Sequence, residues 1–160
     1  MMIDADPATV LDDLYDRPGF LFRRAHQIFA ALFADTCRHL DLTQSQYGVL
    51  RLLKYIGSAD QTTVALMLGH DRSTVGLVVS NLVNRGAILR KPDSNDRRRN
   101  LLVLTAEGLA LVDMATPLAA QAHEEVFRPL GQEERAALMA SLRKLTSFFG
   151  DDIRVPIDPP

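Results

Sequence analysis

A helical apolar pattern, broken once at a glycine, leads into two strand-like runs around a basic tip. This stretch constrains the fold more than any other in the chain. Gln61 to Leu68 reads as a short helix, Gly69–His70–Asp71 as a tight break, and Arg72 to about Arg85 as a second helix closed by Gly86. The period then changes from helical to extended. Ala87–Lys91 and Leu101–Leu104 read as short strands, and Pro92 to Asn100 between them is turn-forming and charged. Two helices that cross steeply need a small residue at the contact and a tight turn. Ala65 and Gly69 supply these, and Val64, Leu68, Val75, Val78 and Leu82 recur where such a pair shares a core. Spacing alone fits a helix-turn-helix and an ordinary αα-hairpin equally well.

The hairpin separates the two. Six of the 18 Lys and Arg residues lie between Arg85 and Arg99, against two acids, Asp93 and Asp96. A charge run is by default a solvated loop. A concentrated basic hairpin directly after a helix-turn-helix is also the footprint that phosphate binding requires. The whole chain has 20 Asp and Glu and a formal charge of −2, which excludes a uniformly basic coat but not a local patch.

The remainder is helical. A first helix from about Pro18 to Leu40 carries two adjacent apolar stripes, Leu21–Ala25–Ile28–Leu32 and Phe22–His26–Phe29–Phe33–Cys37. So wide an apolar face needs more than one neighbour, from this chain or from a second one. Thr43 is placed to cap a second helix reaching about Tyr55, which Gly57 and Ser58 end. Thr105 is placed to cap a long helix to about Phe127 with Pro117 inside it, and a last helix covers about Gln132–Phe149. The expected fold is mainly α with a small β-hairpin wing: a winged helix-turn-helix at 43–104, with dimerisation helices at 18–40 and 105–149, in one domain of 160 residues. No run of 18 apolar residues occurs, and the acidic start (Asp4, Asp6, Asp12, Asp13, Asp16) lacks the basic and apolar stretches of a secretory signal, so a cytoplasmic protein without a membrane span is expected.

Two motifs carry a resemblance. Leu42–Thr43–Gln44–Ser45–Gln46–Tyr47–Gly48–Val49–Leu50 resembles the LTxxQ-aromatic-xxL signature of the MarR family of winged-helix regulators. Asp93–Ser94–Asn95–Asp96–Arg97–Arg98, followed by Leu104, Thr105 and Gly108, resembles that family's DxxDxR…LT..G wing. Ser94 stands where the family usually has proline. The resemblance spans about Pro18 to Phe149 and implies a homodimer on a palindromic operator in double-stranded DNA, acting as a transcriptional regulator and commonly a repressor.

Site residues follow from it. The recognition helix would be Arg72–Arg85, both arginines lying at its ends. Once Val75, Val78, Val79 and Leu82 are assigned to the core, Ser73, Thr74, Gly76, Leu77, Asn81 and Asn84 face outward. The Ser73 and Thr74 hydroxyls could read base edges or hold a phosphate, with Ser73 as a mere cap the alternative. Gly76 would let the backbone approach, and Leu77 would press on a thymine methyl. The family wing places Arg98 in the minor groove, steadied by Asp96, with Arg97 and Arg99 on phosphates.

The family's effectors include aromatic acids, acyl thioesters, oxidants and zinc. Arg23 and His26 beside Phe22, with Tyr47 and Arg51 from the second helix, suit an aromatic acid or its thioester: the rings cover the ring and a cation meets the carboxylate. The alternative is a hydrogen-bonded core histidine with arginines in dimer salt bridges. Cys37, the one cysteine, is the only candidate for thiol-based oxidant sensing, and core packing is its other reading. His26, His39, His70 and His123 form no close ligand pair, so no metal or cofactor is expected. No catalytic motif occurs, so an enzyme is not expected. A winged helix used only for protein contacts remains the third reading.

Overall fold

The computed structural model describes residues 13–94 and 99–149. The elements run in the order α1 (Pro18–Thr36), a 3-10 turn (Arg38–Leu40), α2 (Gln44–Ile56), β1 (Ser58–Asp60), α3 (Gln61–Leu68), α4 (Arg72–Asn84), β2 (Ile88–Pro92), β3 (Asn100–Leu104), α5 (Ala106–Phe127) and α6 (Gln132–Phe148). This is a mainly helical winged helix with a small antiparallel sheet of order β1–β3–β2.

Local chemistry sets most of the boundaries. Thr43 Oγ1 accepts from the Gln46 backbone N–H at 3.2 Å, and Gln46 Oε1 accepts from the Thr43 N–H at 2.9 Å. The threonine and glutamine of the LTxxQ motif are thus a reciprocal capping box that satisfies two otherwise orphaned donors. Gly69 and Gly86 stop α3 and α4 with φ of 62° and 76°, a region that costs glycine nothing. Thr105 caps α5 through the Gly108 N–H at 2.9 Å, and its own hydroxyl donates to the Gly86 carbonyl at 2.7 Å. A Cβ on Gly108 would lie 2.0 Å from the Ala87 carbonyl oxygen. The threonine and glycine that follow the wing are therefore the contact that seats α5 on the entry to β2.

The sequence reading ends α2 at Gly57–Ser58 and holds no strand there. The structure corrects this: Ser58–Asp60 pairs antiparallel with β3, Ala59 lying opposite Leu102. Three residues with one buried side chain show no alternation, so only the partner strand defines this one.

The main core joins Val49, Leu50 and Leu53 of α2, Val64 and Ala65 of α3, Val75, Val79 and Leu82 of α4, and Leu111, Val112 and Ala115 of α5, with Ile88 and Leu102 from the sheet. A smaller cluster packs Phe33 and Cys37 against Ala119 and Ala122 of α5. Tyr47 borders both, its ring 5.6 Å from that of Phe33. Elsewhere the helices are underfilled. Phe33 is the one buried residue of α1, while Leu21, Phe22 and Ile28 are about half exposed. No residue of α6 is buried, and Phe148 is 74% exposed. Arg135 links α6 to α5, its guanidinium forked onto Glu124 at 2.8 Å for each bond and lying 4.6 Å over the Phe127 ring, beside the partly buried Met139 and Leu142.

Candidate nucleic-acid interface

The first turn of α4 is organised by Asp71. Its Oδ1 accepts from the Thr74 backbone N–H at 2.8 Å and from Ser73 Oγ at 2.5 Å, and its Oδ2 accepts from Thr74 Oγ1 at 2.7 Å. Asp71, not Ser73, is the helix cap. The two hydroxyls and the Thr74 N–H hold its carboxyl well below the usual carboxylate range. The expected phosphate seat at this turn is therefore already filled by a carboxylate. The sequence reads Asp71 only as part of the break, although aspartate is among the residues preferred at a helix N-cap.

Beyond that turn α4 divides cleanly. Val75, Val79 and Leu82 are wholly buried, while Arg72, Ser73, Leu77, Asn81 and Asn84 are exposed, Leu77 at 70%. Two expected contacts turn elsewhere. The open side of Gly76 meets Gln61 Nε2, 3.2 Å from where a Cβ would stand, so this glycine accommodates α3 rather than leaving bare backbone outward. Arg85 directs its guanidinium to the carbonyls of Leu40 and Asp41, at 2.6 and 2.7 Å, and so ties the end of α4 to the turn after α1.

In the wing, Asp96, Arg97 and Arg98 lie outside the described residues. The hairpin closes below them through the Asp93 N–H, which donates to the Arg99 carbonyl at 3.0 Å. Arg99, expected on a phosphate, is paired with the Asp60 carboxylate, which also caps α3 through the Thr63 N–H at 2.8 Å. That pair ties the wing base to the helix-turn-helix and leaves Arg90 and Lys91 as the exposed cations of β2.

The five expected effector residues do not converge in one chain. Tyr47 and Arg51 line an open cavity of about 560 Å³ with Lys54, Tyr55 and Leu68, residues the sequence reading left out. Lys54 is ion-paired with Asp113 of α5. Phe22, Arg23 and His26 are exposed on α1 and do not line that cavity. The reason is helical rise: α1 meets Tyr47 through Phe33, and His26 lies about 10 Å back along the axis at 1.5 Å per residue. Arg23 instead lies 5.2 Å from the Phe20 ring centroid. Phe29 stacks on His123 with centroids 5.2 Å apart, a pair that sequence separation conceals. Cys37 is fully buried in the smaller core cluster, and desolvation raises its pKa, surroundings that keep a thiolate scarce. Among the described residues no His, Cys, Asp and Glu group is placed to hold a metal, and no helix is long and apolar enough to cross a membrane.

Known proteins share this architecture. The MarR family model matches residues 42–99. The HTH-type transcriptional repressor NicR of Pseudomonas putida is 32% identical over 133 residues, which cover 83% of this chain and 84% of NicR. The structure of BpsR from Bordetella bronchiseptica, concerned with regulation of its DNA binding by 6-hydroxynicotinic acid, is 34% identical at a TM-score of 0.77, covering 82% of this chain and 94% of that one. A mutant MarR of Escherichia coli complexed with operator DNA aligns at a TM-score of 0.76 and 26% identity, over 88% of this chain and 99% of the other. These are regulators rather than enzymes, and the likeness to them runs through the helix-turn-helix, the wing base and the flanking helices alike. The chain belongs to the MarR family of winged-helix transcriptional regulators.

Proposed function

We propose that this protein is a repressor that binds a palindromic operator as a homodimer and is released by a small aromatic carboxylic acid. One observation carries the reading. The outward row of α4 is polar except for Leu77, and an aliphatic side chain 70% exposed among Ser73, Asn81 and Asn84 suits a groove that offers thymine methyls beside hydrogen-bonding edges. Residues 43–104 form the DNA-binding part. The apolar faces left uncovered on α1 and α6 support pairing of 18–40 and 105–149 with a second copy, which sets two half-sites about one helical turn apart. In the wing, the motif assigns Arg98 to the minor groove, Asp96 to steadying it and Arg97 to phosphate.

The effector reading rests on the cavity at Tyr47 and Arg51 and on the regulation of BpsR by 6-hydroxynicotinic acid. Arg51 offers a forked donor to a carboxylate and Tyr47 a ring face. Phe22, Arg23 and His26 belong to this site only if a second copy or a shift of α1 brings them to it. Ligand that prefers the spacing of recognition helices unable to span the operator lowers affinity by its differential binding energy, typically about 1–3 kcal/mol.

The test is a gel-shift titration on the DNA upstream of the gene, with and without 6-hydroxynicotinic acid and related aromatic acids. Specific binding that weakens steeply from low to moderate salt and is relieved by an aromatic acid supports the reading. Salt-insensitive docking to a protein partner, with no DNA retained, overturns it in favour of a protein-interaction module.

A further inference from the structure

We infer that Ser73 and Thr74 meet DNA as hydrogen-bond acceptors only, so that the leading turn of α4 selects bases presenting an exocyclic amine to the major groove, adenine or cytosine. This rests on the operator-binding reading above and adds what the operator must contain. A hydroxyl has one proton and two lone pairs. Ser73 Oγ donates to Asp71 Oδ1 at 2.5 Å, and Thr74 Oγ1 donates to Asp71 Oδ2 at 2.7 Å. Both protons are committed, and an ionised carboxylate has none to return. What these hydroxyls have left for a partner is lone pairs.

The major groove offers donors at adenine N6 and cytosine N4, whereas guanine N7 and O6, adenine N7 and thymine O4 are acceptors. Phosphate oxygens are acceptors too, and the Asp71 charge repels them. Turning either hydroxyl to donate outward breaks a charge-assisted bond, the stronger kind. Asp71 is thus a positioning residue that acts through the two hydroxyls. Its Asn variant keeps an oxygen to cap the Thr74 N–H but puts an N–H opposite one hydroxyl. That hydroxyl then accepts, and its own proton is freed for guanine or thymine.

The experiment has two arms. Operators are selected from a randomised pool by the wild-type dimer and by Asp71→Asn. In the selected operator each adenine or cytosine amine is then replaced singly by hydrogen, and affinities are compared for the wild type and for the Ser73→Ala/Thr74→Val double variant. The expected result is a loss of about fivefold or more for the wild type at one amine per half-site, no such loss for the double variant, and guanine or thymine admitted at that position by Asp71→Asn. Specific binding by the wild type that is indifferent to every amine overturns the inference, even if neither variant folds. So does an Asp71→Asn selection identical to the wild type's. A wild type that enriches no sequence overturns the operator-binding reading itself, and this inference with it.

Discussion

Arg85, at the end of α4, donates to the carbonyl oxygen of Leu40 at 2.6 Å, and its second terminal nitrogen reaches Asp41 at 2.7 Å. Asp41 has a φ of 45°, an uncommon left-handed conformation for a residue other than glycine. The fork therefore bridges the end of α4 to the left-handed turn after α1. Removing it in Arg85→Ala should cost about 1–3 kcal/mol of stability, measured by denaturant unfolding, because two carbonyls lose a charged donor. Arg85→Lys should recover only part of this, since one ammonium does not reproduce a planar fork. A full recovery by lysine would show that charge alone matters.

Gly108→Ala should be far more damaging than an exposed glycine change. The added methyl meets backbone, the Ala87 carbonyl 2.0 Å away, and neither chain segment has a flexible end to move. Separation of α5 from the wing base should lower the unfolding free energy by more than about 2 kcal/mol, at the severe end of single substitutions. A melting temperature within a degree or two of the wild type would contradict that packing.

Leu77→Ala separates binding from folding. The side chain is 70% exposed, so its loss should leave thermal stability nearly unchanged. Operator affinity should fall by about fivefold through the lost methyl contact. Gel shifts beside melting curves decide it: equal affinity would remove Leu77 from the interface.

Cys37 should resist thiol reagents in the native protein and react once denaturant is added. Burial hides the sulfur and raises its pKa, which keeps the reactive thiolate scarce. Operator binding should also be indifferent to peroxide. Rapid native labelling would reopen oxidant sensing.

Acid should erode what Asp71 contributes. Its folded pKa is depressed, so its stabilisation is fully present above the unfolded carboxylate value of about 3.9 and is lost as pH falls from there toward the folded value. The stability difference between wild type and Asp71→Asn should therefore be constant from pH 7 to about 5 and shrink below about 4. Glu124, held down by Arg135, has the same sign. Denaturant titrations across this range check it, and a difference that grows on acidification would reverse the assignment.

Much of this fold was legible because its punctuation is local. A capping threonine answered three residues later by glutamine, glycines at helix ends and a turn-rich segment between two apolar runs act over a few residues of chain, so order along the chain suffices to read them. The outward row of α4 followed too, since helical period alone separates Leu77 from Val75 and Val79. Motifs known from the family placed the wing, and the structure supplied the reason for its closing glycine: a Cβ there would run into the Ala87 carbonyl.

Other features depend on residues far apart in the chain. Ser58–Asp60 is a strand only because β3 lies beside it, and Arg99 is neutralised by an aspartate 39 positions earlier. Along the chain Arg85 is one more basic residue at the end of α4, yet its two carbonyl partners lie 44 and 45 residues away. The expected effector residues divide for the same reason: within one chain Tyr47 and Arg51 line the cavity while Phe22, Arg23 and His26 stand further along α1, because a helix displaces its side chains by 1.5 Å per residue and residues that share a stripe need not share a pocket. Periodicity and capping fix what each segment is, whereas the partner of a charged side chain is set by which segments are packed against it.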